Sequence, residues 1–202
     1  MAITYPLTLP ANAIKRITLG ISTSVTISRS PFSYASQVQA FAGQMWTAEV
    51  TLKPMTRADA EEWLSFFLKL NGQEGTFLLG DPAATSPRGV ATGTPVVNGS
   101  SQTGQTLNTG GWTNSITNIL RQGDYFQVGQ RLHKVLNDAN SNGSGQATLD
   151  IFPRLRESPS NGASIVTTSP VGLFRLSKNT IDLADITADK VYALSFSAVE
   201  AV

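Results

Sequence analysis

One stretch alone carries apolar residues at helical spacing: PMTRADAEEWLSFFLKLNGQEGTFLLGDP, residues 54–82. Ala60, Trp63, Leu64, Phe67 and Leu70 fall on one face of a helix expected over 56–70. Thr56 stands where an N-cap belongs, and Asp59 three residues on completes a variant capping box and suits the positive helix end. Gly72 is placed to stop the helix in the left-handed conformation. Phe66 and Leu68 lie off the stripe, which predicts a second contact surface and makes both candidates for a subunit interface. A helix this short cannot bury so many aromatics against itself, so the rest of the chain must offer it a sheet. A strand expected at 75–79 begins to supply one.

The remainder reads as strands. IKRITLGISTSVTISR, residues 14–29, is one long strand or two broken near Gly20, followed by a turn at Ser30-Pro31. Residues 37–42 and 44–53 read as two strands joined near Gly43; in the second, Trp46, Ala48, Val50 and Leu52 share a face. Composition shifts at Pro87 to GVATGTPVVNGSSQTGQTLNTGG, with short strands at Val96-Val97 and Thr106-Leu107. ILRQ, DYFQV, QRLHKVL and QATLDIF follow between 119 and 152, then strands at 164–167 and 172–177. Short strands with Gly turns suggest a small barrel or sandwich. The final VYALSFSAVEAV puts Tyr192, Leu194, Phe196 and Ala198 on one face, suited to pairing with the N-terminal strands. The expected fold is mainly β. A β-sandwich with the one flanking helix is built from 1–87 and 178–202, and a small β-barrel or sandwich module is inserted at 88–177.

Composition narrows the function classes. Charged residues are only 14% of the 202, with net charge +1, so the surface is made of Ser, Thr, Asn, Gln and Gly. A weakly charged monomer tends to associate, so this surface suits a chain that packs against other subunits. Fifteen basic and fourteen acidic residues lie dispersed, without the clusters that phosphate-backbone binding needs. With no cysteine there is no disulfide, thiolate nucleophile or Cys-based zinc site. MAITYPLTLP lacks the pattern of a signal peptide, and no apolar run approaches a membrane span, so a soluble protein made in a cytoplasm is expected.

The search for chemistry returns little. His133, the single histidine, sits in the strand-like RLHKV with no evident acid–base or zinc partners. There is no G-x-S-x-G, Walker loop or G-x-G-x-x-G. Asp81, Asp124 and Asp150 stand beside turns, where Asp serves the backbone. DANSNGSGQATL, residues 138–149, begins like a calcium loop with Asp138, Asn140, Asn142 and Gly143. Its twelfth position is Leu149, so a long hairpin loop is expected and no metal. The sequons at Asn98 and Asn142 are patterns only. No catalytic residue, cofactor or metal is assigned, and the chain reads as a structural part, not an enzyme.

Three stretches together carry a family resemblance. PMTRADAEEWLSFFLKLNGQEGTFLLGDP resembles the helix–strand segment of distal tail proteins of long-tailed, siphovirus-like bacteriophages. LRQGDYFQVGQRLHKVLNDANSNGSGQATLDIFPRLR with PVGLFRLS is similar to the β-module that follows it, and YALSFSAVEAV to the closing strand. These cover somewhat over half the chain, in family order. The resemblance implies a β-sandwich with one helix, and an OB-like or lectin-like module on the periphery. It implies a homohexameric ring at the virion tail tip, synthesised in the bacterial host cytoplasm. The ring would join the tail tube protein to the central hub protein of the baseplate, its channel passing the tape measure protein and, transiently, DNA, with no membrane partner. Two alternatives stay open: a tail-tube or tail-terminator subunit, or carbohydrate binding by the inserted module, with Trp112, Tyr125 and Phe126 as stacking platforms.

Overall fold

Two runs rich in β-branched and hydroxyl side chains form the longest elements. The computed structural model describes residues 3–10, 14–180, 185–186 and 191–201; parts of both flanking segments (1–2, 11–13, 181–184, 187–190 and 202) lie outside these. β1 (Ile14–Arg29) and β2 (Ser36–Leu52) are single strands paired antiparallel over their whole length. Neither breaks at its glycine. Gly20 lies against the Thr47 hydroxyl, where a Cβ would come within 2.6 Å, and the register slips between Thr23 and Val25. Gly43 belongs to that bulge, which bends a strand without ending it.

Pro54 closes β2, and α1 (Arg57–Leu70) follows. Thr56 is the N-cap residue, yet its hydroxyl bonds the Asp59 carboxylate at 3.0 Å and no backbone N–H. The left-handed stop is Asn71 (φ 50), one residue earlier than expected, with Gly72 continuing at φ 67. Asn tolerates this conformation, so Gly was not required at the first position. β3 (Phe77–Leu79) completes this part.

A second sheet follows: β4 (Gly93–Val97), β5 (Gly104–Trp112), β6 (Tyr125–Val128), β7 (Arg131–Val135), β8 (Ala147–Leu155) and β9 (Ile165–Val166). Its order is β4-β5-β8-β7-β6-β9. Val97 N–H donates to the Ala163 carbonyl (2.9 Å) and Gly162 N–H to the Val97 carbonyl (2.8 Å), so β9 returns to β4 and nearly closes a barrel. ILRQ is no strand; Leu120 makes only an isolated bridge to Ala139. Leu107, Ile119, Leu120, Phe126, Leu149 and Ile151 fill the interior.

β10 (Gly172–Leu176), β11 (Asp185–Ile186), β12 (Tyr192–Ala193) and β13 (Ser195–Glu200) end the described chain. The first sheet has the order β1-β2-β13-β10-β3. β13 pairs with β2 (Phe196 opposite Val50), as the closing run predicts. β10, expected within the inserted module at 88–177, lies instead between β13 and β3 in the first sheet, because nothing in its own sequence specifies which sheet it joins. Its Phe174 and Leu176 are buried in that sheet's core. The fold is therefore mainly β, with one helix among the described residues, on the first sheet, and a barrel-like second sheet inserted. The two halves share a core, since Tyr125, Leu132 and Phe152 of the barrel pack with Trp46.

Candidate functional site

The helix was the first candidate surface. Ala60, Trp63, Phe67 and Leu70 are buried as their stripe predicts, and Leu64 is half-buried against the same core. Phe67 and Trp63 meet the Phe196 ring at 5.1 and 6.1 Å. Phe66 overturns its assignment. It is only 4% exposed, with its ring 5.6 Å from Phe77. The N-terminal segment supplies the cover that periodicity on the helix could not reveal. Leu7 bridges Phe77, Leu7 N–H donates to Thr76 (2.8 Å), and the Tyr5 hydroxyl donates to the Lys69 carbonyl (2.7 Å). Phe66 is thus core and not a subunit contact. Leu68, at 67% exposed, does face outward.

A larger apolar surface stands elsewhere. β13 pairs only with residues 47–51 of β2, so the outer part of the β1–β2 hairpin extends past the sheet as a two-stranded arm. From Trp46 to the turn this is about ten residues, or roughly 30 Å. Opposed residues share a face, so Ile17, Ile21, Val25, Ile27, Val38 and Ala40 continue the face that Trp46, Ala48 and Val50 present to the core. The other face carries Ser22, Thr26, Ser28, Gln37 and Gln39. Ile27 is 61% exposed and Phe32, in the turn, 96%. Between Ile17 and Ala48 the only charged side chain is Arg29.

Strand length was the missed signal. Runs of 16 and 17 residues far exceed the five or six typical of strands. The sequence leaves one long strand or two open at Gly20 and divides the second run at Gly43, which conceals the paired length.

The arm is rooted where the two sheets meet. The Trp46 indole N–H donates to the Leu132 carbonyl at 2.9 Å, and its ring lies 5.0 Å from Phe152. Glu200, buried at the end of β13, accepts from Trp46 N–H at 3.1 Å and lies 3.7 Å from Arg131 and 3.5 Å from Arg156. Arg156 also donates to the Gln44 carbonyl, and Gln44 Oε1 accepts from Arg154 N–H at 2.9 Å. A buried carboxylate shared by two guanidiniums ties hairpin, closing strand and barrel together.

His133 belongs to the same junction. Its Nδ1 lies 2.9 Å from the Pro153 carbonyl, which makes Nδ1–H the donor and leaves Nε2 as an acceptor. The ring stacks on Phe126 at 5.4 Å. Burial pushes its pKa down to about 4; the Pro153 hydrogen bond opposes this, while Arg131 and Arg156 add to it. The imidazole is neutral at pH 7, a core histidine with one satisfied nitrogen.

The other candidate residues hold the barrel's backbone. Trp112 is buried with its N–H on Thr109 Oγ1 (2.8 Å), and Tyr125 and Phe126 are buried too, so none of the three is a stacking platform. Asp138 Oδ1 accepts from Gln122 N–H and Asn140 Oδ1 from Asn118 N–H, each at 2.7 Å. Asn142 Oδ1 accepts from Ser144 and Gln146 N–H, each at 2.9 Å. The oxygens of the 138–149 loop thus build turns. Asp124, buried, accepts from the N–H groups of Arg88, Gly89 and Arg121 and pins the entry to the module. Asp81 and Asp150 accept from Ala83 N–H and Asn137 Nδ2. Among the described residues no helix is long and apolar enough to cross a membrane. Neither a scan against protein-family models nor a search of curated proteins returns a match.

Proposed function

We propose that the protein is a structural, non-enzymatic component of a bacteriophage tail. In this reading it is a distal tail protein whose copies form a ring, six by family resemblance, joining tail tube to central hub in the virion. The observation that carries this reading is the arm. A two-stranded ribbon with an apolar face, one charged residue over residues 17–48 and two unpaired edges is a poor surface for a free monomer. Ordinary edge strands are blunted by charge, proline or brevity; β1 is long and uncharged from Ile17 to Ser28. Copies related by closed rotational symmetry cover such arms with one another and leave no free edge. The polar Ser/Thr/Gln face then lines the channel for tape measure protein and DNA.

The arm serves a tail-tube or tail-terminator subunit equally well, and the partners separate the readings. The test is negative-stain microscopy and native mass spectrometry of the purified chain, alone and mixed with tube and hub proteins. A single ring, expected at six copies and bound on one side by tube and on the other by hub, supports the distal tail assignment. Stacked rings support the tube subunit. A chain that stays monomeric with both partners present overturns both.

A further inference from the structure

The junction that roots the arm also contains a cleft of about 330 Å³, lined by Arg131, His133, Arg154, Arg156, Ser160 and Glu200 among others. This is near the lower end of the range for small-molecule sites. Its charges do not balance internally. Three guanidiniums line it against two carboxylates, Glu157 and Glu200, and Arg131 and Arg156 are both committed to Glu200. Arg131 additionally donates to the Ala201 carbonyl at 2.8 Å.

Arg154 is different. Its backbone N–H is held by Gln44, but its side chain makes no hydrogen bond or ion pair with the described residues, and its Nε is shut off from solvent without an acceptor. The guanidinium is therefore positioned by packing, not by a protein partner. With Nε closed to solvent, only the terminal Nη nitrogens can meet a ligand in the cleft, and they have no counter-charge among the described residues. Opposite chemistry lies nearby: the neutral His133 ring directs Nδ1–H to Pro153 and keeps Nε2 as an acceptor, while Ser160 supplies a hydroxyl on the exposed rim.

We propose that this cleft is an oxyanion site, which takes a phosphate or carboxylate group carried on a small polar molecule. Arg154 pairs the anion through its planar fork, the geometry that suits guanidinium to these groups. His133 Nε2 and the Ser160 hydroxyl orient a hydroxyl of the same ligand. Arg131 and Arg156 raise the local positive potential while Glu200 fixes them in place. The site stands on side chains of the junction and does not depend on how copies assemble.

The experiment titrates the purified full chain with sodium phosphate, sodium glucuronate and glucose at constant ionic strength, following side-chain Nε–H and imidazole ¹⁵N resonances. A saturable shift at Arg154 with either anion and none with glucose is expected. Saturation by phosphate alone assigns a phosphate group, and by glucuronate alone a carboxylated sugar. Arg154→Met should abolish the saturable shift that the same anion produces at the His133 imidazole and at Arg131 and Arg156 Nε–H, with backbone shifts elsewhere unchanged. Arg154→Lys keeps the charge but loses the fork, and should weaken binding about tenfold or more. Ser160→Ala, on the exposed rim, offers a second variant with little risk to the fold. No saturable shift with either anion, an equal shift in Arg154→Met, or equal binding of glucose would each overturn the proposal.

Discussion

The barrel and the arm are made from the same material and end in opposite states. Both are antiparallel strands in which apolar side chains alternate with polar ones, mostly Ser, Thr and Gln in the arm and joined by Arg131, Lys134, Asp150 and Arg154 in the barrel. In the barrel the apolar alternation points inward to Leu107, Leu149 and Ile151, and β9 returns to β4 so that few edge groups remain. In the arm the same alternation leaves Ile21, Val25 and Ile27 about half exposed or more among the described residues. The barrel is explained by the folding of one chain. The arm's apolar face stays uncovered among the described residues, so the free energy of burying it is not recovered there; the proposed ring would recover it.

The sharpest way to break this contrast is to place the same charge in both regions. Ile27 lies directly opposite Val38, on the arm's apolar face. Ile27→Asp alone should leave the melting temperature of the monomer nearly unchanged and abolish assembly, since a charge would be buried unpaired between copies. Leu149→Asp, in the barrel's interior, should instead prevent the module from folding. Size-exclusion chromatography with light scattering, beside thermal melts, reads both. If the arm variant still assembled at wild-type concentration, the claim that the arm is interface would fall.

Next in size is the helix, which belongs with the barrel's logic although the off-stripe reading grouped part of it with the arm's. Trp63→Ala and Phe66→Ala should each cost roughly 3–5 kcal/mol, as buried aromatics do. Leu68→Ala should stay within about 0.5 kcal/mol in the monomer. Urea unfolding measures all three. A Phe66→Ala loss below 1 kcal/mol would return Phe66 to the surface where periodicity put it.

That disagreement shows what was legible in the residues. Local periodicity located the helix, the core face of β2 and the pairing of the closing strand, because each depends on spacing within one element. It failed where burial was supplied from afar. Phe66 is covered by the segment around Tyr5 and Leu7, more than fifty residues distant in sequence, and β10 carries no mark of which sheet it joins. The junction was illegible for the same reason. Gln44, Arg131, Arg156 and Glu200 are ordinary surface residue types until the topology brings them together. The arm was legible in principle, through strand length.

His133 gives a smaller effect, within the junction. Its pKa in the folded protein, about 4, is below the ordinary 6.5, so the unfolded chain binds more protons in this range. Its contribution is intact above pH 6.5 and is lost as pH falls toward 4. Between pH 7.5 and 4.5 this amounts to about 2–3 kcal/mol, read from unfolding curves at the two values. His133→Gln should flatten that part of the loss, and the pH slope left in the variant belongs to groups other than the histidine. An unchanged pH slope in the variant would mean that the histidine is not held neutral by burial.

The smallest expected effect tests whether the barrel's loops are closed from within, as its strands are. Asp138 opens the stretch that resembles a calcium loop, but its Oδ1 is already engaged by Gln122 N–H at 2.7 Å. Asp138→Ala removes that acceptor. Because the bond is exposed, water can replace it, and the cost should be about 0.5–1.5 kcal/mol. The same loss should be seen with a chelator present, and wild-type protein should melt at one temperature with added calcium or without it. Differential scanning calorimetry over the four conditions decides the point. A chelator-induced fall in the wild type that vanished in Asp138→Ala would show these oxygens serving a cation in preference to the turn, and the barrel would then be completed by something outside the chain, as the arm is in the proposed ring.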